Sequence, residues 1–197
     1  MRPIATLAEI WSVLRSQGVR VIWDRVVWHS GHFPKNSMIA WMAALGRLPT
    51  RCRLISFGWN IDGTCLLCSR ELETRDHLFF VCPYSKCVWE WVLRACNFSK
   101  PAMELDRELS WVCANVRGKS FLSYLFRLAW NGCIALLWKE RNRRFFTGAC
   151  RPKAEVVSCL KEVARLKVDR FQGIRRLQPE WGLQERIFIW FCFDYLA

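Results

Sequence analysis

Residues 65–82 read CLLCSRELETRDHLFFVC. Cys65 and Cys68 form a C-x2-C pair, His77 follows after eight residues, and Cys82 after four more. A C-x2-C pair lets two thiolates reach one ion from a tight turn, and a later His and Cys complete a tetrahedron. Thiolates with an imidazole suit zinc and disfavour hard cations such as magnesium. Four protein ligands leave no position for water, so the spacing predicts one structural Zn2+ site held by Cys65, Cys68, His77 and Cys82. Two other readings fit the same residues. One is a buried, metal-free cluster. The other is a redox Cys-x-x-Cys, which ordinarily opens a helix in a βαβ unit not evident here. Cys87 is a rival fourth ligand, ranked lower because it falls inside the helix that Pro83 starts.

Outward from this segment the pattern is helical. Asp62-Gly63-Thr64 forms a turn that presents Cys65, and Leu78-Phe79-Phe80 supplies apolar packing behind His77. Upstream, Met38, Trp41, Met42 and Leu45 recur at helical spacing over 36–47, with Asn36 or Ser37 as N-cap. LPTRCRL (48–54) reads as a turn and a helix start capped by Thr50. Residues 5–17 read as a short helix, and the β-branched, aromatic run 20–29 as a strand or buried extension. Downstream, 84–97 is helical with Val88, Trp91, Val92 and Ala95 on one face. Residues 98–119 read as a mixed, polar linker or irregular segment, and 120–145 as a long helix. Pro152 opens another helix through Val156, Leu160 and Val163. The tail IFIWFCF (187–193) reads as a strand or a helical turn.

Composition bounds the partners. Hydrophobic residues make up 52% of the 197, enough for a packed core. The formal charge of +13 favours a polyanionic partner, nucleic acid first among them. The excess is concentrated downstream, where residues 92–197 hold nineteen cations against ten acids. Lys139, Arg141, Arg143 and Arg144 crowd one helix end beside Trp138 and Phe145. Arg47, Arg51 and Arg53 form a second group. Both are candidate phosphate contacts, although cations at a helix C-terminus also complement its dipole. Without an export signal, the eleven cysteines imply an intracellular, reducing compartment, nucleus or cytoplasm. Cys52, Cys96, Cys113, Cys133, Cys150, Cys159 and Cys192 read as core. So do Trp41, Trp59, Trp89, Trp91, Trp111, Trp130 and Trp138. His29 and His32 form a close pair without neighbouring thiols or carboxylates. No run of about 18 apolar residues occurs, so no membrane partner is expected.

Several motifs occur in a familiar order: Pro34-Lys35, Leu48-Pro49-Thr50-Arg51 with Arg53-Leu54, the Cys65/Cys68 pair, and Glu73-Thr74-x-x-His77-Leu78-Phe79-Phe80-x-Cys82. Together, over about residues 22–93, they resemble the reverse-transcriptase zinc-binding domain of plant non-LTR (LINE-type) retrotransposons. A Trp-x-Glu-Arg-Asn-x-Arg stretch often follows that module, and Trp138 to Arg144 is similar to it. The resemblance implies an accessory module associated with nucleic acid, or docked on a reverse-transcriptase or RNase H partner. It confers no polymerase activity, because the Tyr/Phe-x-Asp-Asp carboxylates are absent. The expected protein is mainly α: an N-terminal segment (1–21), a small zinc-knuckle-like module among helices (22–97), and a basic helical C-terminal extension (98–197).

Overall fold

The computed structural model describes residues 21, 23–118 and 120–175. The expected helix over 5–17, the tail 187–193 and Cys192 lie outside the described residues. Among those described, the order is α1 (Asp24–Val27), α2 (Pro34–Ala44), α3 (Arg51–Ser56), a π turn (His77–Val81), α4 (Pro83–Ala95), α5 (Leu105–Asn115), α6 (Phe121–Thr147) and α7 (Lys153–Arg175). The protein is mainly helical, and the extended pairing among these residues is a lone antiparallel bridge between Thr64 and Leu72.

Local chemistry sets most boundaries. Pro34 and Pro83 open α2 and α4, where a missing N–H costs nothing. The Ser120 hydroxyl accepts the Ser123 N–H at 3.1 Å to cap α6, and Gly148 at φ 68° ends it. Three expectations are corrected. Residues 24–27 form a helical turn instead of a strand, burying the consecutive Val26 and Val27 together; a strand would send them to opposite faces. Neither Asn36 nor Ser37 caps α2. Phe33 holds that position, and Ser37 is buried, accepting a 3.1 Å bond from the Asn131 amide. Within 98–119, α5 buries Leu105, Leu109 and Val112 along one stripe, with Asp106 and Glu108 in its first turn.

One core joins these elements. Phe80 of the π turn stacks on Trp130 of α6 at 5.0 Å. Trp89 of α4 meets Trp130 at 5.4 Å and Phe126 at 5.6 Å. The Asn131 amide donates to the Val27 carbonyl at 2.9 Å, tying α1 to α6. α7 lies against α6 through Val156 and Leu160. At Gly132 a Cβ would come within 2.8 Å of Leu160 Cδ1, so the missing side chain permits the approach. A boundary at residue 98 therefore divides a shared core. α6 is long and apolar enough to cross a bilayer by length and composition, but 67% of its most apolar window is buried inside the protein.

The tryptophans divide by packing. Trp89, Trp130 and Trp138 are buried; Trp41, Trp91 and Trp111 are partly buried against the core. Trp59 is corrected: it is 56% exposed, in the loop after α3. Among the cysteines read as core, Cys96 and Cys133 are buried, Cys52, Cys113 and Cys159 are half-buried, and Cys150 is exposed.

Replacing Trp130 with Ala removes a ring shared by the π turn, α4 and α6. The expected cost is about 3–5 kcal/mol, read as a lower urea midpoint in the zinc-loaded protein. An unchanged midpoint would show that α6 is not part of this core.

Candidate metal centre

The zinc loop is built from three short devices. Asp62 Oδ1 accepts the Thr64 N–H at 2.9 Å and the Thr64 hydroxyl at 2.7 Å, closing the expected turn before Cys65. The knuckle follows. The Cys65 sulfur accepts the Leu67 N–H at 3.4 Å, the Cys65 carbonyl accepts the Ser69 N–H at 2.8 Å, and Ser69 takes a left-handed φ of 55° to turn the chain. The Thr64–Leu72 bridge then returns the chain beside its own start.

The second ligand pair depends on the π turn. In an α-helix, a residue five positions on is rotated by about 140° from the first, so His77 and Cys82 would face apart. Here the Cys82 N–H reaches the His77 carbonyl at 2.7 Å, and the wider turn brings the two residues back to one side. The Thr74 hydroxyl accepts the His77 N–H at 3.1 Å and fixes the turn's start.

The result is a tight cluster. The ligand atoms of Cys65, Cys68, His77 and Cys82 all lie within 4.8 Å of one another. Cys65 Sγ and Cys82 Sγ are 4.0 Å apart, and Cys68 Sγ is 3.3 Å from His77 Nε2. A zinc tetrahedron with ordinary bond lengths has S···S edges of about 3.8 Å and S···N edges of about 3.5 Å. The donor set and its spacing fit zinc. Cys65, His77 and Cys82 are buried and Cys68 is half-buried, which leaves the site closed. Cys87 lies on the exposed side of α4, outside the cluster. The Cys65 and Cys82 sulfurs are polarised in opposite senses. The Cys82 thiol is pulled down to about 5, first by the hydrogen bond from Cys65 and then, against burial, by the N–H groups of Tyr84 and Ser85 opening α4. Cys65 is pushed up by the same contact and by burial.

A buried carboxylate braces this loop. Glu73 is fully buried; its Oε2 accepts the Leu66 N–H at 3.2 Å, and its Oε1 accepts the Arg51 N–H at 3.0 Å. Thr50 stands at the N-cap of α3 as expected, but its side chain makes no cap bond, and Glu73 supplies the acceptor instead. The counter-charge comes from α6, whose Arg141 places Nε at 2.9 Å and Nη2 at 2.8 Å from Glu73 Oε1. One turn on, Arg144 donates to the Leu66 and Leu67 carbonyls at 3.0 Å each and pairs with Glu140 at 2.7 Å.

These placements sort the candidate phosphate contacts. Arg141 is 2% exposed and committed to Glu73. Arg144 is held by the zinc loop and Glu140. Arg51 donates to Asp62 at 3.1 Å and to the Thr64 carbonyl at 2.8 Å. Arg53 donates to the Gly46 carbonyl and lies over the Phe57 ring. These four arginines serve the fold. Arg47 and Lys139 are exposed and Arg143 is half-buried, each without a side-chain partner among the described residues. His29 is buried, its Nδ1 3.0 Å from the Ser30 carbonyl, and burial lowers it to about 4. No third ligand joins His29 and His32 among the described residues. The role of Glu73 was not read from the sequence. The available signal was an acid between two apolar ligand segments, inside the Glu-Thr-x-x-His motif.

Fold and site together define a small helical module closed around a Cys3His zinc centre. Residues 6–89 match the family described as zinc-binding in reverse transcriptase, an accessory domain and not a catalytic one. The matched stretch contains all four ligands and Glu73, and stops before Arg141 and Arg144. No curated protein and no solved structure matches the chain.

Two outcomes are expected. Glu73→Gln leaves Arg141 buried without its counter-charge, costing about 3–5 kcal/mol and speeding zinc loss to a chelator; a wild-type melting curve would contradict the bracing role. Because Cys65 is held protonated without metal, zinc uptake at pH 7 releases its proton, and affinity rises with pH. Calorimetry in buffers of different ionisation heat measures that release, and a buffer-independent heat would contradict it.

Proposed function

We propose that the chain is a non-catalytic accessory module of a plant-type non-LTR retrotransposon reverse transcriptase. In this reading zinc fixes the fold and surface cations bind nucleic acid. The observation that carries it is the coincidence of the closed Cys3His cluster with the matched zinc-binding family. A site with four protein ligands has no open coordination position for substrate, so zinc here stabilises without catalysing. The charge of +13 and the unpaired Arg47, Lys139 and Arg143 support a polyanionic partner. None of the ten described cysteines is in a disulfide, in keeping with a reducing, intracellular setting.

The test is fluorescence anisotropy of the zinc-loaded chain with labelled RNA and DNA across a salt series. About three phosphate contacts give a log–log slope of roughly −2 to −3. The triple variant Arg47→Ala, Lys139→Ala, Arg143→Ala flattens it with zinc content unchanged. Binding that ignores salt in the wild type would remove this reading.

A second reading rests on the apolar surface beside the zinc loop. Phe57 and Leu72 are 62% and 63% exposed, and Ile55 adjoins Leu72 across Gly63. This surface suits docking on a polymerase or RNase H partner. Salt-indifferent association with such a partner, lost on Phe57→Ser, would favour it.

A further inference from the structure

A second concave site lies at the elbow between α6 and α7, lined by residues of both helices and of the turn between them. It is a cavity of about 310 Å³, at the lower end of the range for small-ligand pockets. Three features of its wall point to one kind of ligand.

The first is an unmatched acceptor. Glu140 lines the cavity and is 2% exposed. Its Oε1 takes the Arg144 side chain at 2.7 Å and the Arg151 N–H at 2.8 Å. Its Oε2 is buried with no hydrogen-bond partner. A buried acceptor left unpaired is costly, so a small side-chain rotation that brings this oxygen to the cavity and to a ligand N–H is favoured. The carboxylate charge itself is balanced by Arg144, so the cavity does not repel an anionic ligand whose charge sits elsewhere.

The second feature is an aromatic face. Phe146 lines the cavity at 76% exposure, held edge-on by Phe145 at 5.0 Å. A large apolar ring so exposed offers a flat stacking surface. The third is charge. Lys139 and Arg143 line the same cavity, one turn apart on α6, and neither has an acidic partner among the described residues.

We propose that this elbow holds one unpaired nucleobase: its face stacks on Phe146, its N–H edge pairs with the Glu140 carboxylate once Oε2 turns to the cavity, and its flanking phosphates meet Lys139 and Arg143. The inference rests on the nucleic-acid reading above and narrows it to single strands. A base within a duplex is stacked on both faces and its N–H edge is already paired, so it cannot enter. Every natural base carries an N–H on its pairing edge, so the site selects for being unpaired and not for sequence.

The test compares a labelled single strand of about eight nucleotides with the same strand as a duplex, bound to the full zinc-loaded chain. Expected is tighter binding to the single strand. Phe146→Ala should weaken it about tenfold, the scale of one lost base stack, leaving duplex binding unchanged, while Phe146→Tyr keeps it. Equal, salt-sensitive binding of both forms, indifferent to Phe146→Ala, overturns this site and leaves the general nucleic-acid reading standing. Binding of neither form at low salt overturns both. Because Phe146 is exposed, its loss should not unfold the chain, and retained zinc content verifies that.

Discussion

Three sulfurs and one imidazole nitrogen must come within 4.8 Å of one another, from positions spread over eighteen residues that carry no regular helix between the two ligand pairs. No packing of apolar side chains favours that convergence, and bringing polar, ionisable groups into a buried site is unfavourable unless something compensates them. Zinc supplies the compensation, and much else follows from accommodating it. The π turn exists in place of an α-helical one because only the wider turn aims His77 and Cys82 the same way. The left-handed Ser69 closes the knuckle. The N-terminus of α4 points its N–H groups at the Cys82 sulfur, favouring the thiolate a metal needs.

The loop is not self-sufficient. Its N–H and carbonyl groups at Leu66 and Leu67 are satisfied by Glu73 and Arg144, and Glu73 is neutralised by Arg141. Two of these three residues belong to α6, about seventy residues downstream and outside the stretch that matches the zinc-binding family. The Trp138–Arg144 motif is thus linked to the zinc loop by an ion pair and by main-chain bonds. This assigns opposite duties to neighbouring cations on one helix. Arg141 and Arg144 face inward and hold the module together; Lys139 and Arg143 remain at the surface, beside the elbow cavity.

What was legible in the sequence was local. The ligands stand at short, fixed spacings, Pro34 and Pro83 mark helix starts through the chemistry of a missing N–H, and Pro152 stands just before α7. The long helix over 121–147 declares itself by periodicity. What was hidden depends on distance. Arg141 looks like any basic residue at a helix end until its partner, 68 positions away, is known. Thr50 has the right type for a cap, but a carboxylate brought by the zinc loop takes the role. The helix over 105–115 was legible in principle, since Leu105, Leu109 and Val112 keep helical spacing. The surrounding Glu and Asp residues, which favour its first turn, masked it as linker.

The central claim is a single closed site of three sulfurs and one imidazole, and X-ray absorption at the zinc edge measures that shell directly. The account predicts about three sulfur scatterers near 2.3 Å and one nitrogen near 2.0 Å, with no added oxygen. Replacing His77 with Ala should remove the imidazole signature alone. A shell dominated by oxygen or nitrogen, or one unchanged by that substitution, would contradict it.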